Sequence, residues 1–141
     1  MAITQAIPVS YRKEILTGTH SSSHSYKIAL YTTAASLGIG TSSFSTTNEV
    51  VGAGYVSGGS TMSVFTISTD GDTVIVDFTN DPNWTSASIT AGGALIYNNT
   101  VAGNPAVLVL DFGAAYTATN GTFTVVFPAA TAAAGLMRIS S

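Results

Sequence analysis

The stretch from Ala91 to Gly113, AGGALIYNNTVAGNPAVLVLDFG, decides the fold class of this chain. It contains two apolar segments, Ala94 to Asn98 and Ala106 to Phe112, which are separated by a polar loop rich in Asn, Gly and Pro. Apolar runs of this length between such residues are typical of a β-hairpin. The stretch therefore predicts two antiparallel strands at the centre of the protein.

The second segment is apolar on both faces of the strand that it predicts. Strict alternation places Ala106, Leu108, Leu110 and Phe112 on one face of the strand. Val107 and Val109 then lie on the opposite face. A strand of this kind must be covered on both sides, so we expect it to lie centrally in its sheet. One cover would be the domain's own core, and the other a second layer or a neighbouring subunit. Val107 and Val109 are accordingly candidate interface residues.

The composition limits the possible functions. The chain has 141 residues, 45% of them hydrophobic, and no cysteine, which is compatible with one domain that folds without disulfides. Zero cysteine also excludes thiolate catalysis and cysteine-based zinc sites. The net charge is −3 and the four basic residues are scattered, so no basic patch for nucleic acid is expected.

Charged residues are unusually rare. They make up 8% of the chain, compared with about 25% in ordinary soluble domains. Buried parts of protein interfaces are depleted in charge, and a charge-poor exterior does little to keep copies apart. The composition thus favours a protein that functions in an assembly. A secreted all-β domain with a Ser/Thr surface is the alternative.

The N-terminal segment, residues 1–18, predicts a short helix or helical arm. Ile7, Tyr11 and Ile15 recur every four residues, Pro8 lies near the start, and Gly18 follows the end. The helix would either pack over one end of the sheet or contact a neighbouring subunit. Its candidate interface residues are Ile7, Tyr11, Arg12 and Lys13. The segment lacks a secretory signal pattern, and no apolar run in the chain approaches membrane-spanning length, so we expect cytoplasmic synthesis and no membrane contact.

The remainder, residues 19–141, predicts a single β domain. Strand patterns occur at YKIALYT (26–32), 61–68 with a bulge near Val64, 73–78, 122–129 and 136–139. Turns are predicted at Asp70-Gly71-Asp72 and at Thr119-Asn120-Gly121, and a strand break at 80–85. The expected fold class is mainly β, an antiparallel β-sandwich or jelly-roll-like domain with one short N-terminal helix.

Few residues suggest chemistry. His20 and His24 have the i, i+4 spacing of helical metal ligands, but a Ser-rich linker favours an exposed loop instead. A group of acidic residues could suggest calcium, although turn positions explain them better: Asp70, Asp72, Asp77 and Asp81. No nucleophile elbow or triad pattern occurs, so we expect no enzymatic activity and no cofactor. The candidates for stacking on a sugar are Trp84, Tyr55, Tyr97 and Tyr116.

Five blocks of sequence resemble small structural proteins of tailed bacteriophages. In order they are YKIALYT, GALIYN, VLDFG, TFTVVFPAA and LMRIS, and together they extend over most of residues 11–140. The resemblance implies a virion component, most similar to capsid decoration (cement) proteins that form trimers on the outer capsid surface and bridge subunits of the major capsid protein. A tail, baseplate or fibre-associated protein and a carbohydrate-binding β-sandwich are the alternatives.

Overall fold

β-Strands dominate the computed structural model of the chain, which describes residues 2–62, 65–131 and 133–140. Within these residues the strands are β1 (Tyr26–Tyr31), β2 (Ser60–Thr61), β3 (Phe65–Asp70), β4 (Thr73–Phe78), β5 (Asn83–Asn98), β6 (Ala106–Thr124) and β7 (Met137–Ile139). Among the described residues one helix, α1 (Val9–Leu16), precedes the strands. The predicted fold class, mainly β and sandwich-like with a short N-terminal helix, is confirmed.

The strands form two antiparallel sheets. The larger sheet has the order β2-β1-β5-β6 and the smaller one the order β3-β4-β7. The main hydrophobic cluster lies between them, because it joins Ile28 and Ile96 of the larger sheet to Phe65, Val76 and Met137 of the smaller. The predicted strands at 26–32, 73–78 and 136–139 are thus found, while the predicted bulge near Val64 lies outside the described residues.

The predicted hairpin exists, but its strands are longer and its position differs from the prediction. β5 lies between β1 and β6, whereas β6 lies at the edge of the sheet. The prediction that the 106–112 segment is the central strand is therefore wrong. Its second apolar face is covered for another reason, since residues from the N-terminus and the 32–48 loop pack on it.

A register shift changes which face each valine of β6 occupies. Ile96 pairs with Leu108, while Tyr97 pairs with Ala106, so Val107 is an extra residue in β6. Val107 belongs to the main cluster with Leu108, and Val109 belongs to the second cluster. Strict alternation, which placed both valines on one face, is therefore wrong at this bulge.

The predicted turn at 119–121 is instead part of β6. Asn120 has a φ of 46°, and the pairing shifts register between Ala87↔Gly121 and Ile89↔Ala118. An Asn-Gly pair supplies the left-handed backbone that a bulge requires as well as the one that a turn requires. The predicted strand break at 80–85 is also wrong from Asn83 onward, where β5 begins. The turn between β3 and β4 is confirmed, because Asp70 pairs with Thr73 across two residues.

A second hydrophobic cluster lies on the opposite face of the larger sheet. Its buried members include Tyr31, Leu95, Tyr97 and Val109. Ile3 of the N-terminus and two residues of the 32–48 loop, Leu37 and Phe44, pack against them. The chain therefore covers both faces of its larger sheet around the β5–β6 hairpin.

Candidate functional site

The N-terminal arm, residues 2–8, is attached to the larger sheet by backbone hydrogen bonds. Ala6 N–H donates to the Val109 carbonyl at 3.1 Å, and Val109 N–H donates back to Ala6 at 2.9 Å. Thr4 N–H donates to the Leu37 carbonyl at 2.8 Å. The arm thus pairs with the edge of β6 and shields the second cluster from solvent.

This arrangement determines where the predicted interface residues lie. Val107 and Val109 are both 0% exposed, so the chain itself encloses them. Tyr11 is also buried, and Ile7 is half-buried against the main cluster. Of the predicted interface set, only Arg12 and Lys13 present exposed side chains to solvent.

Helix α1 begins after Pro8 and ends at a left-handed glycine. Gly18 has a φ of 74°, and Thr19 N–H donates to the Glu14 carbonyl at 3.0 Å, which closes the last turn of the helix. Tyr11 points inward, and burial raises the pKa of its phenol to about 12. Ile15, expected to share the face of Tyr11, is instead exposed.

The exposed side of α1 combines apolar and basic side chains. It consists of Val9, Arg12, Lys13 and Leu16, which we call the outer helix face. Residues three and four apart lie on one side of a helix, so these four are neighbours. Val9 is 55% and Leu16 is 87% exposed. Two of the chain's four basic residues therefore lie between two exposed aliphatic side chains.

The two histidines converge on one buried amide. Asn98 at the end of β5 is 0% exposed, and its Nδ2 lies 3.1 Å from His20 Nδ1 and 2.9 Å from His24 Nδ1. The His20 side chain is only 2% exposed. We call His20, His24 and Asn98 the histidine cluster. The prediction of an exposed loop is wrong for His20.

The hydrogen bonds define the protonation of both rings. Asn98 Oδ1 accepts from the backbone N–H groups of Thr100 at 2.9 Å and Val101 at 3.2 Å. The amide nitrogen therefore faces the histidines and donates one hydrogen to each Nδ1. In this arrangement each Nδ1 acts as an acceptor, which corresponds to the tautomer with its hydrogen on Nε2. Within the described residues, no group of three His, Cys, Asp or Glu side chains has the arrangement of a metal site.

Two of the four acidic residues considered for calcium accept hydrogen bonds from backbone N–H groups. Asp77 Oδ1 accepts from Phe78 N–H at 2.7 Å, and Asp81 Oδ1 accepts from Phe127 N–H at 2.8 Å. Asp70 and Asp72 are exposed on either side of the Gly71 turn. Burial raises the pKa of Asp77, and the nearby Asp81 raises it further. The predicted turn position is thus found for Asp70 and Asp72, whereas Asp77 lies within β4.

Sequence reasoning missed a buried carboxylate. Glu49 accepts hydrogen bonds from Tyr55 Oη at 2.7 Å, Ser57 Oγ at 2.7 Å and Gly58 N–H at 2.6 Å. Tyr97 Oη donates to the Gly58 carbonyl at 2.6 Å, which joins this loop to β5. The sequence signal was a single charged residue, Glu49, in the whole of 33–59.

Three of the four candidate sugar-stacking residues lie in the interior. Trp84 and Tyr97 are buried, and Tyr55 packs on the main cluster with its hydroxyl bonded to Glu49. Tyr116 alone of the four is exposed. Stacking on a sugar requires an open ring face, so the structure does not bring these four residues together as a carbohydrate site.

Comparisons with known protein families, with characterised proteins and with solved structures found no match for this chain. Among the described residues, no helix combines the length and the apolar character needed to cross a lipid bilayer.

Proposed function

We propose that the chain is a non-enzymatic structural protein of a virion, a capsid decoration (cement) protein that bridges subunits of the major capsid protein. The observation that carries the proposal is the outer helix face, where exposed Val9 and Leu16 flank Arg12 and Lys13. In this proposal the protein is made in the host cytoplasm, assembles as a trimer and is located on the outer capsid surface.

Exposed aliphatic side chains outside α1 also support a function in an assembly. Val56 is 77% exposed, and Val126 and Ile139 also project into solvent. Single exposed apolar residues are normal on protein surfaces, so none of them identifies a partner alone. Together with a charged fraction of only 8%, these side chains form a surface that provides little electrostatic repulsion against association.

The chemistry of the outer helix face indicates the chemistry of its partner. Arg12 and Lys13 are adjacent positive charges on a chain whose net charge is −3. Complementary charge steers association and sets orientation, while apolar contacts at the centre of an interface supply most of its affinity. The partner surface on the capsid should therefore be acidic opposite Arg12 and Lys13 and apolar opposite Val9 and Leu16.

A matched pair of variants tests this docking face. Leu16→Asp and Val51→Asp each place a carboxylate at a side chain that is 87% or 94% exposed, so neither should alter folding. On purified heads stripped of the protein, we expect Leu16→Asp to weaken binding at least about tenfold, a loss of about 1.4 kcal/mol. Val51→Asp should bind as the wild type does, and equal binding by all three proteins would contradict the docking face.

Copy number and head stability test the cementing role itself. Hundreds of copies on each head are expected for a decoration protein, whereas a dozen or fewer would favour a tail, baseplate or fibre position. Heads that lack the protein should release DNA at lower temperature than complete heads, because many weak contacts over a lattice add up. Heads of equal heat resistance with and without the protein would count against cementing.

A further inference from the structure

We infer that the histidine cluster is a pH-sensitive contact. It holds residues 17–25 and the end of α1 against the β5–β6 hairpin at neutral pH and releases them in mild acid. The inference concerns the isolated chain and does not depend on the proposed function. It rests on the bonding geometry of His20, His24 and Asn98.

One amide nitrogen bonds both rings through the same kind of atom. Asn98 Nδ2 has two hydrogens to donate, and it lies 3.1 Å from His20 Nδ1 and 2.9 Å from His24 Nδ1, so each Nδ1 can accept one of them. Protonation of either imidazole adds a hydrogen to Nδ1. That hydrogen would face the N–H donor of Asn98. The charged ring therefore loses its hydrogen bond, and two hydrogen-bond donors face each other.

The amide cannot rotate to accommodate a protonated ring without breaking other bonds. Its oxygen accepts from Thr100 N–H and Val101 N–H, which begin the loop after β5. Asn98 itself is fully buried, whereas Thr100 is exposed and Val101 is half-buried. Turning the amide by half a rotation would break both bonds and direct the amide hydrogens at the two backbone N–H groups, which is unfavourable.

Other ionisable groups face the cluster from each neighbouring element. From α1, the Tyr11 ring lies 4.8 Å from the His20 ring, and Glu14 Oε2 lies 3.8 Å from His20 Nε2. From β1, the Tyr26 ring stacks on His20 at 6.4 Å. Asn98, the contact from β5, is uncharged. Glu14 Oε1 and His20 Nε2 are buried and make no hydrogen bond in the closed arrangement.

The direction of the pH effect follows from these surroundings. Burial, and secondarily the charge of a protonated His24, lowers the pKa of His20 below its ordinary value of 6.5. The released segment therefore binds protons more readily than the closed one. The closed state is fully favoured above pH 6.5 and loses stability as the pH falls from 6.5 toward the lowered pKa of His20. Burial raises the pKa of Glu14, and that group acts in the opposite direction.

The release is confined to one segment, because the neighbouring strand is held independently. β1 pairs with β5 along its whole length, from Tyr26↔Asn98 to Tyr31↔Gly93. Apart from the histidines, the 17–25 segment is held to β1 and to the loop after β5 by three hydrogen bonds of 2.8 Å: Asn99 N–H to the Ser25 carbonyl, Ser25 N–H to Thr100 Oγ1, and Tyr26 Oη to the Ser21 carbonyl. Two of the three lie at Ser25, beside β1, so losing the histidine bonds loosens the rest of the segment while the sheet remains intact.

Two measurements on the full chain test the inference. Ring-nitrogen NMR is simple because the chain has only two histidines, and at neutral pH both should carry the proton on Nε2. Hydrogen exchange should then compare residues 9–25 with β1 between about pH 7.5 and about pH 5, corrected for the intrinsic rate. Opening of 9–25 should rise by up to about tenfold per pH unit for each proton taken up, while β1 stays protected.

Variants separate the histidines from other acid-sensitive groups. His24→Gln should reduce the pH dependence in 9–25, and His20→Gln/His24→Gln should abolish it. If the double variant does not fold, the single variant and the wild-type NMR data still decide. Glu14→Gln should leave the acid-induced release in place or steepen it, since Glu14 opposes it. A proton on Nδ1 of either ring at neutral pH, or equal acid sensitivity of 9–25 and β1, would overturn the inference.

Discussion

Replacement of Val109 by aspartate should detach the N-terminal arm rather than unfold the protein. Val109 is 0% exposed and packs with Leu95, Tyr97 and Ile3 in the second cluster. Loss of the buried valine forfeits about 1.5–3 kcal/mol, and an unpaired buried carboxylate adds several kcal/mol. A domain with about 5–15 kcal/mol of total stability has little room for such a penalty.

Release of the arm is the less costly response. Four backbone hydrogen bonds to Val109 and Leu37 hold it, each with a net value of about 0.5–1.5 kcal/mol. Burial of Ile3 contributes about 1.5–3 kcal/mol more. Ordering the arm opposes these gains by about 1–2 kcal/mol per residue. The ordering cost is of the same size as these gains, so the arm is weakly held, and its release lets the new carboxylate reach water.

Hydrogen exchange and denaturation distinguish the outcomes. In Val109→Asp, the amides of Thr4 and Ala6 should lose protection, whereas those of β1 should keep it. Val126→Asp, at an exposed position, is the matched control and should retain the protected arm. An unchanged denaturation midpoint with Thr4 and Ala6 still protected would refute the reasoning, and so would global unfolding of the variant under conditions where the wild type is folded.

Three further substitutions probe the interior. Glu49→Ala should lower the free energy of unfolding by about 2–4 kcal/mol in urea, because it strands buried donors, and Glu49→Gln should cost less; equal losses would contradict this. Asp77→Asn should raise the melting temperature at pH 7 and flatten the dependence of the melting temperature on pH above 3.8. The reason is that burial raises the pKa of Asp77, so the folded state loses stability as this group ionises. A lower melting temperature would contradict this prediction. Gly93→Ala should destabilise the protein by about 1–3 kcal/mol. The added Cβ would lie 2.6 Å from the Leu110 carbonyl oxygen and 2.7 Å from Ile3 Cδ1. A variant as stable as the wild type would contradict this clash.

Patterns that depend on local alternation were predictable from the sequence. The segment 26–31 alternates Tyr26, Ile28 and Leu30 with Lys27, Ala29 and Tyr31, and the two faces indeed enter different environments. The turn at Gly71 was predictable because only a few residue pairs suit a two-residue hairpin connection. Such features are fixed by neighbours in sequence.

Features that depend on partners distant in sequence were not predictable. The extra residue at Val107 changes the faces of β6 without any mark in the residue types, because Val and Leu suit either face. Asn120-Gly121 suits a turn and a bulge equally well. Asn98 joins His20 and His24 across more than seventy positions, and nothing local to a Ser-rich linker shows that its histidines are buried.

The arm changes which surface can serve an assembly. The second apolar face of the 106–112 segment predicted a cover by a second layer or a neighbouring subunit, and the chain itself covers that face with Ile3 and the 32–48 loop. A partner therefore has no access to Val107 or Val109 while the arm is in place. We propose the outer helix face for docking, because its Leu16 is 87% exposed and its Arg12 is also exposed. Tyr11 of the same helix packs against His20, with the ring centroids 4.8 Å apart. We therefore expect the orientation of the outer helix face to depend on the hydrogen bonds of the histidine cluster.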